Sequence, residues 1–368
     1  MRNLYQKIKE YIPPFPLVIF IFSSVSLILY ILVLSSVKFA DFFNLYLSLP
    51  VRKILAQISS IVPFSITETL LFASPLLITI IFIRGIKNAQ ISKKDSIRFL
   101  TKILAIVLFV FITFVWTYSS GFHNSTIDKK LNLKVEKISN EDLYSASLII
   151  IENLNELSNE ITYDSTGASI MPYGYYKLSA EICEAYDKYE DEYGAIINFN
   201  SIVKPIILSE PMTYTHISGI YTFYTGESNI NINYPDFVVA SSATHEMAHQ
   251  RGVARENEAN FVSFVVMTSS NDAFLRYSAY LDVYSTMVSA LYSADKDLYY
   301  DVVSRLDNRV KADLASYSSF FDKYRDSVAS EVTGNLNDSY LQANGQKEGT
   351  KSYGMIVDLT VAYLKSKH

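Results

Sequence analysis

Three apolar runs in the first third of the chain constrain its fold more than any other feature. They cover Phe15–Val37, Ile61–Ile83 with Glu68 as its sole charge, and Ile103–Tyr118. The third reaches full length if Phe99, Leu100 and a snorkelling Lys102 are included. About 20 residues at 1.5 Å rise cross the hydrocarbon core, so each run predicts a transmembrane helix. A buried core helix is the competing reading, strongest for the third run. The first run is too long for a removed signal peptide and lacks a small-residue cleavage site.

Charge is segregated in the same way. Residues 1–118 hold 12 Lys+Arg and 4 Asp+Glu, leaving 32 − 12 = 20 basic and 37 − 4 = 33 acidic residues for the remainder. That split predicts a basic membrane region, residues 1–120, followed by an acidic water-facing domain, residues 121–368. The net charge of −5 argues against nucleic acid as a partner. The single cysteine, Cys183, excludes an intrachain disulfide and a thiolate metal cluster.

Orientation follows from the short loops. Arg2, Lys7 and Lys9 precede the first run, and Arg84, Lys87, Lys93, Lys94 and Arg98 lie between the second and third. Three spans put these two segments on one face, opposite a loop with only Lys38, Arg52 and Lys53. The bias predicts a cytoplasmic N-terminus and an extracytoplasmic C-terminal domain in a multi-pass protein whose surroundings are the lipid bilayer. The opposite loop, 38–60, reads either as an interfacial amphipathic segment or as plain surface.

Beyond Gly121 the pattern is mostly helical. Ser139 and Asp142 form a capping-box signature ahead of an amphipathic stretch, and a second helix is expected over 174–191. Residues 196–236 alternate β-branched and polar groups between Pro, Gly and Ser, which predicts two or three strands. Helices are then expected over 238–251, 255–269, 272–293, 296–329 and 353–366.

Chemistry is concentrated in His245-Glu246-Met247-Ala248-His249, an HExxH sequence. On a helix, residues four apart share a face, so His245 and His249 can offer two imidazole nitrogens to one Zn²⁺. Glu246 is turned by about 100°, close to the ion but free to act as general base toward water. His123, His216 and His368 have no such spacing. Gly252 is suited to end the helix, and the next helix carries Glu256 and Glu258 as candidate third ligands. Three protein ligands would leave a position open, as catalytic sites require.

Glu256-Asn257-Glu258-Ala259-Asn260 resembles the ExxAD or ExxAN signature of gluzincin metallopeptidases. That resemblance implies Glu256 as the metal ligand, with Glu258 the alternative, and Asn260 as the group that orients a ligand imidazole. Asn260 replaces the commoner Asp. A wider likeness joins the three spans, VPFSITE ending at Glu68, GIYTFYTGESNIN at 219–231, HEMAHQRGVARENEANF at 245–261, RYSAY at 276–280 and SYG at 352–354. Together they resemble a bacterial family of membrane-anchored HExxH proteins known only as a domain of unknown function.

The implied fold is mainly α, an α+β zincin-like domain with a small sheet, preceded by three transmembrane helices. The implied activity is zinc-dependent hydrolysis of a peptide or protein substrate in the cell envelope. The alternative is a sensor or scaffold that binds peptides without turnover. In zincins an edge strand beside the metal pairs with substrate, which nominates Glu227, Asn229 and Asn231, although an ordinary surface hairpin fits as well. Tyr277 and Tyr353 are candidate oxyanion donors, with core packing as the competing role.

Overall fold

The computed structural model describes residues 10–344 and 355–367. The chain opens with α1 (Pro14–Ser35), α2 (Val37–Phe43), a π-helical turn (Asn44–Ser48) and α3 (Leu49–Ser60). Then come α4 (Ile66–Ile91) and α5 (Lys93–Thr117). Helices α1, α4 and α5 correspond to the three apolar runs and are long and apolar enough to cross a membrane. Their bulky side chains, such as Phe15, Ile28, Leu76 and Phe82, point outward, as expected where hydrocarbon is the solvent. Ser65 caps α4 by accepting the Glu68 amide at 3.0 Å, and Ser92 caps α5 through Asp95 at 3.1 Å. Helices α1 and α5 pack together, with the Trp116 indole donating to Ser26 at 3.0 Å.

The loop expected at 38–60 is instead helical and docked. Phe43, Ser48, Arg52 and Ala56 are buried. Amphipathic spacing does hold, but the inward face meets the rest of the protein.

The second part begins with a 3₁₀ turn (Ser119–Phe122), α6 (Ile127–Lys130) and α7 (Asn140–Leu157). The capping box at Ser139 and Asp142 is formed in both directions. A two-strand hairpin, β1 (Thr162–Tyr163) with β2 (Ser169–Ile170), precedes α8 (Tyr175–Tyr193). Next come β3 (Val203–Pro205), α9 (Ser209–Thr213), β4 (Gly219–Thr222) and β5 (Glu227–Ile230). The sheet order is β3-β5-β4, with β5 parallel to β3 and antiparallel to β4. Strand β4 is therefore an edge, and β5 is the centre.

Helices α10 (Asp236–Gln250), α11 (Glu256–Thr268) and α12 (Ala273–Ala294) follow, and α10 touches both others as well as β4 and β5. Helix α10 is buried on nearly every side, which its small residues Ala240, Ser241, Ala243 and Ala248 permit. Its apolar side joins one continuous core with Ile150, Leu154, Tyr186, Phe261, Leu275 and Met287. The helix expected over 296–329 is broken into α13 (Lys296–Ser304) and α14 (Asn308–Asp322). The cause is Asp307, whose carboxylate accepts the Arg309 amide at 2.8 Å and starts a new helix. Two further helices close the order, α15 (Val328–Ala343) and α16 (Met355–Lys367).

Buried charges join the two parts across the sequence division at residue 120. Arg52 is almost fully buried, and Nη1 donates to Asn44 Oδ1 and to the Thr117 carbonyl, both at 2.9 Å. Its Nη2 reaches the Arg251 carbonyl at 3.3 Å. Burial lowers its pKa to about 10, so it stays charged at neutral pH. On β3, Lys204 donates to Ser59 O at 2.7 Å and to Glu227 Oε1 at 2.5 Å. Glu227 also accepts the Ile66 and Thr67 amides at 2.9 and 2.8 Å, so it caps the N-terminus of α4. Glu68 returns the favour by accepting the Ile207 and Leu208 amides at 3.0 and 2.8 Å.

Arg52→Ala removes the donor for two buried carbonyls and is expected to destabilise the full chain by about 3 kcal/mol. Thermal unfolding in detergent micelles checks this, with exposed Arg309→Ala as a control expected to change little.

Candidate metal centre

The cluster is built on the C-terminal turns of α10. Strand β5 holds this helix from below, where Ser228 donates to the Glu246 carbonyl at 3.0 Å. From above, the Tyr186 hydroxyl donates to the Thr244 carbonyl at 3.0 Å. The helix ends as its sequence requires. Gly252 has φ +98°, its amide donates to the His249 carbonyl at 2.9 Å, and the chain reverses into α11. Any Cβ at Gly252 would fall 2.4 Å from Arg52 Nη2. The reversal places Glu256 in the first turn of α11, where a carboxylate is favoured.

Three ligand-type side chains converge there. Glu256 Oε2 lies 3.2 Å from His245 Nε2, and its Oε1 lies 3.5 Å from His249 Nε2. One ligand atom from each residue fits within 4.8 Å of the other two, a group that could hold a metal ion. The His249 Nδ1 is 2.7 Å from the Val253 carbonyl and 3.1 Å from the Tyr118 hydroxyl. A carbonyl can only accept, so the network keeps a proton on Nδ1 and makes Nε2, which faces Glu256, the nitrogen available to a metal.

Electrostatics agree with a site that wants positive charge at its centre. Burial works against a protonated His249, yet Glu256 and then Glu246 raise its pKa to about 9. Glu256 is also penalised by burial, but His249 and His245 hold it far below the usual carboxylate range. Two imidazoles and one carboxylate, with a side open to a cleft, form a donor set that could hold a divalent metal ion.

Glu246 sits beside this cluster without joining it. Its carboxylate lies against Gly219, where an added Cβ would be 2.7 Å from Oε1, and it accepts the Tyr221 amide of β4. Burial raises its pKa, opposed by the two imidazoles. A cleft of about 950 Å³ runs over the cluster, lined by the whole of β4 as well as by Asn260, Asp282 and Tyr340. His216 also lines it, with Nε2 2.8 Å from the Tyr324 carbonyl.

Other expectations meet different fates. Glu258 points away from the cluster, bound bidentately by Arg255 at 3.0 and 3.1 Å and by the Ile127 amide at 3.2 Å. Asn260 reaches the cleft, but the Val253 carbonyl and Tyr118 take the role of holding His249 Nδ1. Glu227 is consumed by Lys204 and α4. Asn229 and Asn231 are buried, the latter donating to Thr213 Oγ1 and the Ile217 carbonyl at 3.1 and 3.0 Å. These three do not line the cleft, because β5 is central and β4 is the edge. Tyr277 is buried in the core, donating to Asp313 at 2.9 Å. Tyr353 and His368 lie outside the described residues.

Sequence reasoning missed Tyr118 and Asp282 and put the cleft edge on the wrong strand of the hairpin. Asp282 on α12 is an exposed residue that lines the cleft, near enough to His245 for the two to interact. The Nδ1 of His245 is buried without a hydrogen-bond partner among the described residues. No spacing rule links residues on separate helices. GIYTFY did read as a strand, but alternation alone does not say which hairpin strand is the edge.

Glu256→Gln is expected to abolish high-affinity metal binding by the purified full chain, read by elemental analysis and titration calorimetry. Glu258→Gln should keep metal stoichiometry while lowering stability. Tyr118→Phe, which removes one of two partners of His249 Nδ1, should weaken metal affinity about 10-fold.

The profile of one protein family, described as a protein of unknown function (DUF3810), matches residues 43–361. No curated protein and no solved structure matches the chain. The matched span begins at the last residue of α2 and takes in the π-turn, the docked α3, both later apolar helices, β4 and the His245–His249–Glu256 cluster. The chain therefore belongs to the DUF3810 family of proteins of unknown function.

Proposed function

We propose that this protein is a membrane-anchored zinc metallopeptidase of gluzincin type, with its cleft on the extracytoplasmic side. The observation that carries the reading is the placement of Glu246. Its carboxylate lies between a three-ligand cluster and an edge strand that lines the same cleft. A divalent ion bound by His245, His249 and Glu256 would supply Lewis-acid activation of water and of a peptide carbonyl.

This chain's own residues do the rest. The open edge of β4 receives an extended substrate backbone through main-chain groups, which gives affinity with little side-chain selectivity. Glu246 takes a proton from the attacking water and returns it to the leaving amine. Its raised pKa brings the carboxylate nearer to neutrality, which suits a group that must both accept and give back a proton. Gly219 leaves room for that carboxylate at the strand. Tyr340 lines the cleft, and its hydroxyl is the group we assign as donor toward a developing oxyanion. The basic residues of the N-terminus and of the α4–α5 connection orient these elements with the N-terminus in the cytoplasm.

Glu246→Gln separates this reading from a peptide-binding scaffold. Metal content should stay at the wild-type level while hydrolysis of a mixed peptide library falls by about 10²–10⁴-fold. Unchanged turnover in that variant, or no turnover in zinc-loaded wild type, would overturn the peptidase reading.

A further inference from the structure

The cleft sits where two apolar helices end. Thr67, in the first turn of α4, and Tyr118, the residue after α5, both line it. On α4 the stretch from Ile66 to Ile83, just before Arg84, spans about 27 Å at 1.5 Å per residue. On α5 the stretch from Phe99, just after Arg98, to Thr117 spans about 28 Å. A hydrocarbon core of about 30 Å uses the whole of both, which leaves Thr67 and Tyr118 at its boundary. The Tyr118 hydroxyl reaches His249 Nδ1 at 3.1 Å, so the ligand cluster lies within about one side chain of the bilayer surface. HExxH stands far from the last span in sequence and next to it in space.

The walls match that position. Ile220 and Tyr224 from the β4 hairpin and Leu336 from α15 line the cleft while remaining 43%, 39% and 67% exposed. Bulky apolar groups and a tyrosine are unfavourable over open water but at home in the interfacial zone. The edge strand beside them offers main-chain groups, which recognise an extended polypeptide.

We propose that the substrates are membrane-anchored polypeptides, engaged at the extended segment next to their own anchor. This rests on the peptide-handling reading above. An extended chain covers about 3.3 Å per residue, so the bond presented to Glu246 lies within a handful of residues of the bilayer. Such a site reads distance from the membrane where it does not read side chains.

The test uses the full chain in phosphatidylethanolamine–phosphatidylglycerol vesicles with zinc. The probe is a single-span polypeptide whose exposed stalk carries several identical repeats, each about ten residues long. Every repeat then has the same chemistry, and only distance differs. Cleavage positions are mapped with wild type, and photo-crosslinks from a label at position 220 are mapped with Glu246→Gln. Both signals are expected to favour the membrane-proximal repeat by about ten-fold or more, equivalent to about 1.4 kcal/mol. Equal use of all repeats, or equal use of the free stalk peptide, overturns the inference and leaves the peptidase reading intact. Proximal crosslinks without any cleavage support the inference and remove hydrolysis. Loss of crosslinking when excess bare vesicles are added before irradiation would assign the cleft to lipid and overturn it.

Discussion

One buried guanidinium governs the relation between the apolar helices and the candidate metal cluster. Arg52 holds the carbonyl of Thr117, the last residue of α5, and the carbonyl of Arg251, at the end of α10. The next residues along the chain are Tyr118 and Gly252. Tyr118 touches His249, and Gly252 turns the chain toward Glu256. A single side chain thus sets the distance between the end of a spanning helix and two parts of the cluster. Arg suits this task because its planar fork serves several acceptors at once and keeps its charge when buried.

The remaining buried charges follow the same economy. An ionised carboxylate out of water is costly unless donors surround it. Glu227 has Lys204, two amides and the Thr67 hydroxyl, while Glu68 has two amides. The first turn of α4 supplies amides that no helical carbonyl can satisfy, so the cost is met by groups that needed partners anyway. Such joints fix orientation more than they add net stability, because ill-aligned packing would strand every charge in them. A cluster that needs three atoms within 4.8 Å benefits from a rigid mounting of this kind.

Much of this organisation was legible before any coordinates. The three apolar runs, the capping box at Ser139, the turn at Gly252 and the shared face of His245 and His249 follow from local rules that act within one or two helical turns. The turn at Gly252 brought both Glu256 and Glu258 forward as third ligands, and only the likeness to the gluzincin signature chose Glu256. What escaped depended on contacts between residues distant in the chain. Glu227 looked like a polar residue on an exposed hairpin, since its partners Lys204 and α4 are supplied by other segments. Asn229 and Asn231 were misplaced by one strand, because pairing order is decided by β3 arriving from upstream. Tyr118 belonged in sequence to an apolar helix, and only folding brings it to His249. The break at Asp307 was a local signal overlooked within a long helical pattern.

The docking of α3 and α4 bears on how the protein can be divided. A fragment beginning at Gly121 would have the acidic character of a soluble domain. It would also retain Lys204 and Glu227 while discarding the carbonyls of Ser59 and Phe64 and the helix start that complete their bonding. It would lose Arg52 from the Arg251 carbonyl and Tyr118 from His249. The helices from α3 to α5 are therefore part of the architecture that carries the cluster and not a tether, so expression trials should excise nothing between the π-turn and Gly121.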